Sequence, residues 1–296
     1  MILSVENMSF YFKKNQIFDQ VSLTIETPGI YGLVAPNGSG KTTLLHLLVS
    51  LYKPQKGDIT ILGKPFGTEK TFKDVSFVQD NSVLFPYLSA YDHLKYVCDM
   101  HSIPYSEIDR IAEFLGMNTY LKNKTKSYSL GMKQRLLLGI GLIKKPKLLL
   151  LDEPLNGLDP TSTILMREAL LDAEKNGTTI LVSSHNLSEI DKTTNKIFFI
   201  KNKKVIFEER DITKQDLFVL FLKETDIDKT KEIMETHHIN GSFQGAKLKI
   251  ELDNYTSITI LHMLFKENIF PLDFEKESVG SESRYRELFE GEKLNE

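Results

Sequence analysis

The stretch APNGSGKTT, residues 35–43, holds two glycines, a lysine and adjacent threonines in the order a phosphate-binding loop needs. It lies between an apolar run, GIYGLV, and a run of helical period, GKTTLLHLLVSLY. In that setting the backbone N–H groups of the loop and of the helix start converge on one anion. Asn37, Gly38, Ser39, Gly40, Lys41, Thr42 and Thr43 are the candidate binding residues. Gly38 and Gly40 let the chain curl, Lys41 reaches the β- and γ-phosphates of a nucleotide, and the Thr42 hydroxyl suits Mg²⁺. Ala35 stands where the usual pattern has glycine. The plainer use of these residues is a glycine-rich turn around a structural lysine.

A second candidate closes the run KLLLLDEP, where four leucines lead into Asp152 and Glu153. A buried strand running into charge is costly unless a cation receives it. Asp152 then serves as the Mg²⁺-side carboxylate and Glu153 as the general base that orients water toward the γ-phosphorus. Pro154 is expected to keep Glu153 extended at the strand end. Gln79 ends DVSFVQ, where its amide could contact Mg²⁺ or the water. His185 follows TTILVSS, within reach of a γ-phosphate, and Asp159 lies in NGLDP. Each has a plainer use as well: an exposed glutamine, a hydrogen-bonded histidine, and a cap on a helix starting with Pro160. In SYSLGMKQRL, Ser129 is placed to cap a helix whose first N–H groups, from Leu130, Gly131 and Met132, offer an anion site. Gly131 has no Cβ to obstruct a close approach. His237, His238 and the remaining histidines show no ligand spacing.

The elements that must carry these residues are uneven along the chain. LSVENMSFYF and IFDQVSLTIE read as strands joined by the turn KKNQ, with GIYGLV, DVSFVQ, KLLLLDEP, TTILVSS and the hairpin KIFFIKNKKVIFEE as further strands. Residues 81–145 are mostly of helical period. This predicts an α/β core with a helical insertion over residues 1–210. After residue 211, DLFVLFLKE, DKTKEIMETHH, AKLKIEL and SITILHMLFKEN alternate strand-like and helix-like before a polar end. That order predicts a small α+β domain over residues 211–296, ferredoxin-like in plan.

Composition bounds the partners. A chain of 296 residues with 41% hydrophobic and 26% charged residues buries a real core, and a net charge of -3 gives no footprint for nucleic acid. The lone cysteine, Cys98, rules out an internal disulfide framework and favours a reducing compartment. No apolar stretch approaches the roughly 18 residues of a membrane span, so the chain is expected to stay out of the bilayer.

In this order the motifs resemble those of the nucleotide-binding subunits of ATP-binding cassette (ABC) transporters, over about residues 1–210. APNGSGKTT resembles Walker A, Gln79 the Q-loop, YSLGMKQR the signature region, LLLLDEP Walker B, NGLD the D-loop and His185 the switch histidine. The resemblance implies a P-loop NTPase fold, with a RecA-like core, an antiparallel β subdomain and a helical insertion, that binds ATP and Mg²⁺ and hydrolyses ATP. It implies catalytic roles for Glu153, His185 and Gln79, with Thr42, Gln79 and Asp152 around the metal. Phe12 would stack on adenine, with Tyr11 as the alternative. Ser129, Gly131 and Asp159 would meet nucleotide across a head-to-tail dimer, either a homodimer or a pair with another ATPase subunit. Tyr128, Leu130 and Met132 depart from the usual signature LSGGQ. The form YSLGMKQR resembles the branch of bacitracin- and daunorubicin-type exporters, whose ATPase is a separate polypeptide. That implies an integral-membrane permease as partner and a cytoplasmic location on the inner face of the membrane. SVLFPYLSAY, residues 82–91, is then the candidate docking surface, or else part of the helical subdomain's core. A soluble ABC ATPase acting in assembly or regulation is the alternative, although the chain lacks the second cassette or long heptad arms of two such types.

Overall fold

Strand β1 (Leu3–Phe12) buries Leu3, Val5, Met8 and Phe10 and pairs antiparallel with β2 (Asn15–Ile25). The turn between them is shorter than KKNQ: Asn15 and Gln16 already belong to β2, and Lys13 takes φ +53°. β4 (Lys56–Ile61) pairs on the other side of β1 and β5 (Lys64–Pro65) closes a sheet of order β2-β1-β4-β5. In a computed structural model the described residues are 1–65, 67, 73–210, 217–252, 255–277 and 280–289.

The second sheet contains β3 (Ile30–Val34), β6 (Val75–Val78), β7 (Leu148–Asp152), β8 (Thr179–Ser183), β9 (Lys196–Lys201) and β10 (Lys204–Glu209), in the order β10-β9-β3-β8-β7-β6. All pairs are parallel except the β9–β10 hairpin. Every residue of β3 and β8 is buried, as is each leucine of β7. Continuous apolar runs are what a parallel sheet covered on both faces requires. Helix α1 (Lys41–Leu48) follows β3. Helices α2 (Ala90–His101), α3 (Ser106–Phe114) and α4 (Leu130–Leu142) form the insertion between β6 and β7, and α2 opens with a capping box of Ser89 and Asp92. Helices α5 (Pro160–Lys175) and α6 (Leu187–Asp191) follow β7 and β8. The loop after β3, Gln79, the Asp152–Glu153 pair and His185 thus all lie at the carboxyl ends of parallel strands, where open α/β sheets bind ligands.

The chain divides into two compact units, Met1–Arg210 and Asp211–Glu296. The second runs β11 (Leu217–Phe221), α7 (Ile227–Thr236), β12 (Gly241–Gln244), β13 (Lys247–Glu251), α8 (Ser257–Lys266), β14 (Asp273–Glu277) and α9 (Ser281–Phe289). Its antiparallel sheet has the order β12-β13-β11-β14, the ferredoxin-like arrangement of a βαββαβ chain. Phe218, Leu220, Leu248 and Ile250 of the sheet share a core with Met234 of α7 and with Ile260 and Leu264 of α8. Strands β12 and β14 escaped the sequence reading because GSFQ and DFEKE carry no apolar alternation; as edge strands they are specified by their pairing partners. Asp216, the first residue of DLFVLFLKE, lies outside the described residues.

Candidate nucleotide site

At the carboxyl end of β3 the chain turns into α1 through Gly40, which takes φ +107° and serves as the N-cap without any side-chain bond. A Cβ on Gly40 would lie 2.9 Å from the Phe18 ring and 3.0 Å from Ile17, so both conformation and space demand glycine. The N–H of Ser39 donates to the Pro36 carbonyl at 3.3 Å. Asn37, Gly38 and Thr42 are exposed, Ser39 and Thr43 half-buried. Lys41 is buried: its Nζ donates to the Ala35 carbonyl at 2.9 Å and lies 3.4 Å from Glu153 Oε1.

The end of β7 meets this loop directly. The Thr42 hydroxyl donates to Asp152 Oδ2 at 2.7 Å, and Ser183 Oγ donates to Asp152 Oδ1 at 2.6 Å. Ser183 in turn accepts the Glu153 N–H at 2.9 Å. Glu153 Oε2 lies 2.7 Å from His185 Nδ1 and accepts the His185 N–H at 3.3 Å. One connected network therefore runs Thr42, Asp152, Ser183, Glu153, with Lys41 and His185 on the two oxygens of Glu153. Gln79 contributes no bond to it; half-buried just past β6, it lines a cavity of about 290 Å³ with Phe77, Leu84, Phe85, His93 and Tyr96.

The backbone of Glu153 corrects an expectation. It is not extended but left-handed, with φ +51°, one residue beyond the end of β7. The following proline disfavours the right-handed helical region and leaves this one accessible. The bonds to Ser183, Lys41 and His185 over-determine the geometry, as strained residues at functional sites require. Ser183 was not singled out from sequence. Its signal is a hydroxyl ending an otherwise apolar strand, yet only the parallel register pairing Asp152 with Ser183 shows its use.

Thr42 and Asp152 juxtapose a hydroxyl and a carboxylate, hard oxygen donors suited to Mg²⁺. Among the described residues no group of three His, Cys, Asp or Glu side chains forms a metal site by itself. A Mg²⁺ ion here would complete its ligands from phosphate and water, as is usual for this ion.

Ser129, Gly131 and Asp159 form a second cluster. Ser129 caps α4, its Oγ accepting the Met132 N–H at 3.3 Å. Asp159 caps α5: Oδ1 accepts the Ser162 N–H at 3.0 Å and Oδ2 accepts the Ser162 hydroxyl at 2.7 Å, and these bonds hold the carboxyl below its usual range. Arg135 Nη2 donates to the same Ser162 Oγ at 3.3 Å. Gly131 is helical and buried against this group, so its close approach is to its own chain: a Cβ there would lie 2.7 Å from Ser162 Oγ. Tyr128, one of the departures from the usual signature, is buried; its hydroxyl donates to the Tyr120 carbonyl at 2.8 Å and accepts the Ala90 N–H at 3.3 Å. It ties the start of α2 to the segment before α4.

The contact at Gly131 has a measurable cost. Alanine gains up to about 1 kcal/mol in helix propensity over glycine, whereas overpacking a rigid neighbour costs about 1–3 kcal/mol. Ser162 is rigid because Asp159 and Arg135 both bond its hydroxyl. Gly131→Ala should therefore lose about 1 kcal/mol of stability in urea unfolding. In a Ser162→Ala background the same substitution should be neutral or stabilising, since the close atom is gone.

Of the two aromatics expected to meet a nucleobase, Phe12 is 42% exposed, with ring contacts to Phe10 and Tyr52. Tyr11 is engaged elsewhere: its hydroxyl accepts from Gln16 Nε2 at 2.9 Å and its backbone exchanges two bonds with the Gln55 amide. Of the two candidates, Phe12 presents the more exposed ring.

A family model described as "ABC transporter" matches residues 18–156, and an AAA domain model matches residues 122–191. The lantibiotic transport ATP-binding protein SrtF of Streptococcus pyogenes is 35% identical over 220 residues, 74% of this chain and 96% of SrtF. The uncharacterized ABC transporter ATP-binding protein YdbJ of Bacillus subtilis is 36% identical over 208 residues, 69% of this chain and 68% of YdbJ. YhcH of the same organism, also an uncharacterized ABC transporter ATP-binding protein, is 29% identical over 295 residues, 97% of this chain and 95% of YhcH. Among solved structures, the ATP-binding subunit of an ABC transporter superposes with a TM-score of 0.66 over 71% of this chain and 91% of its own, at 23% identity. CbiO1 from Clostridium perfringens, part of the ABC transporter complex cbiONQ, gives 0.64 over 70% and 88% at 25% identity. With the ordered motifs, the strand-end network and these relatives in agreement, the chain belongs to the ATP-binding proteins of ABC transporters, a family of P-loop ATPases.

Proposed function

We propose that this chain hydrolyses Mg-ATP at composite sites shared by two head-to-tail ATPase subunits, and that the cycle drives a separate integral-membrane permease in the direction of export. The observation that carries the reading is the position of Lys41, shared between the Ala35 carbonyl and Glu153. A phosphate that takes the ammonium leaves Glu153 Oε1 open to a water. His185 then holds Oε2 and so aims the carboxylate, while Ser183 fixes the backbone of Glu153. Glu153 accepts the proton of the attacking water as general base. Thr42 and Asp152 would hold Mg²⁺, which when bound neutralises phosphate charge.

No helix of the described residues is long and apolar enough to cross a membrane. One observation supports a membrane partner. At the cavity beside Gln79, Val83, Phe85 and Tyr96 are each about half or more exposed, as is Tyr87 against the Phe85 ring, whereas Leu84 in the same lining and Ala90 in the same stretch are buried. The stretch 82–91 thus serves both uses: it anchors the subdomain core and displays an apolar surface for a permease loop. Export is supported by SrtF, named for lantibiotic transport, and by the form of YSLGMKQR. All nucleotide residues precede residue 211, so unit Asp211–Glu296 is read as an accessory domain.

The test is extraction of the tagged chain from its native membranes in mild detergent. A polytopic membrane protein should co-purify, and the complex should turn over ATP differently from the isolated chain. Quantitative recovery in the soluble fraction, with ATPase unaffected by membranes, would instead favour an assembly or regulatory ATPase.

A further inference from the structure

The nucleobase platform and the phosphate cradle are carried by different layers. Phe12 ends β1 of the antiparallel sheet, whereas Lys41 and Thr42 open α1 beside the parallel sheet. A nucleotide that touches both reads the distance between them. Between the two stands Tyr52, in the connection from α1 to β4.

Its ring is half-buried and meets three others. Tyr52 lies edge to face with Phe12 at 5.3 Å and 88°, stacks on Phe10 at 5.6 Å and 17°, and lies edge to face with His46 of α1 at 5.2 Å and 76°. Phe10 and Phe12 are themselves perpendicular at 4.9 Å. The backbone around Tyr52 is tied to both layers. The N–H groups of Leu51 and Tyr52 donate to the His46 carbonyl at 2.9 and 3.3 Å, and Gln55 bonds Ser9 and Tyr11 of β1. Such aromatic contacts are directional, so they set a ring plane as well as a position.

We propose that Tyr52 is a positioning residue for the nucleobase, bracing Phe12 against α1 so that the stacking face stands at a set distance from the phosphate cradle. This rests on Phe12 being the base platform. A brace without hydrogen bonds to the ligand acts on the base alone, and a ligand without a base does not sense it.

The experiment uses the full chain in a Glu153→Gln background and measures calorimetric binding of Mg-ATP and of Mg-tripolyphosphate, which shares the phosphates and lacks the base. Phe12→Ala and Tyr52→Leu should each weaken ATP about 10-fold, within the range of a lost base–aromatic stack. The double variant should be no weaker than Phe12→Ala alone, because the brace acts through the platform. Tripolyphosphate should bind all of them equally, and Tyr52→Phe, which keeps the ring, should match the parent. If Tyr52→Leu binds ATP normally while Phe12→Ala does not, the brace is refuted and the platform stands. If Phe12→Ala binds ATP normally, the platform reading itself fails and the brace with it. Equal weakening of ATP and tripolyphosphate by Tyr52→Leu, or additive losses in the double variant, would also overturn the proposal, since Tyr52 would then support α1 or act independently of Phe12.

Discussion

Glu153→Gln should bind ATP as tightly as the parent chain and hydrolyse it at least about 10²-fold more slowly, the lower end of what a lost general base costs. The amide keeps the size of the carboxylate, so the left-handed backbone and its bond from Glu153 N–H to Ser183 survive. What it lacks is basicity. One end can still accept from His185, but the other presents a weak base or an N–H donor where water must deliver a proton. Because the phosphate cradle is built from residues 35–43 and Asp152, none of which changes, affinity is retained. A dimer holding unhydrolysed ATP should then accumulate and be seen by size-exclusion chromatography. Steady-state turnover within a few-fold of the parent would remove Glu153 from the role and leave the His185–Glu153 contact as a merely structural bond.

The second large effect is complementation across subunits. Lys41→Ala removes the buried ammonium that bridges the Ala35 carbonyl and Glu153, destroying the cradle of its own chain. Ser129→Asp leaves that cradle untouched. Aspartate is as good an N-cap as serine, so α4 still starts at Leu130, but a carboxylate now stands at the face that the proposed dimer offers to the partner's γ-phosphate. Like charges there repel. Ser129 is the position to change because any side chain at Gly131 strikes Ser162 and disturbs its own chain first. Each variant alone should fail to occlude labelled ATP in a Glu153→Gln background. In a mixed dimer one site joins a sound cradle to a sound Ser129, and the other site carries both lesions. Random exchange makes half of the dimers mixed, so about a quarter of the parental occlusion should return. If subunits demonstrably exchange and occlusion stays at the level of the separate variants, Ser129 acts only as a helix cap.

What could be read from residues alone was the chemistry whose signal is local. A phosphate loop needs backbone curl, an ammonium and a hydroxyl within nine residues, and APNGSGKTT supplies them between a strand and a helix. The carboxylates after four leucines, the capped start at Ser129 and the histidine after TTILVSS are equally local, because strand ends and helix starts are specified by short runs of neighbours. The edge strands β12 and β14 were not legible for the same reason inverted: their own residues state no preference, and the ladder is decided by β13 and β11.

Tertiary structure decided the partners. Asp152 and Ser183 are 31 residues apart and meet because parallel register places them side by side. Gly131 is required by a helix start that follows it by 31 positions, at Ser162. Phe12 and Tyr52 come together because the link from α1 to β4 is stitched to both layers. Glu153 departs from the extended form that Pro154 favours because three contacts hold it, from the first residue of α1, the end of β8 and the loop after it. The sequence by itself determined which atoms are available for phosphate and water; which of them face one another depended on sheet register and close packing, since distance between residues remote along the chain is set by the whole fold and by no short run within it.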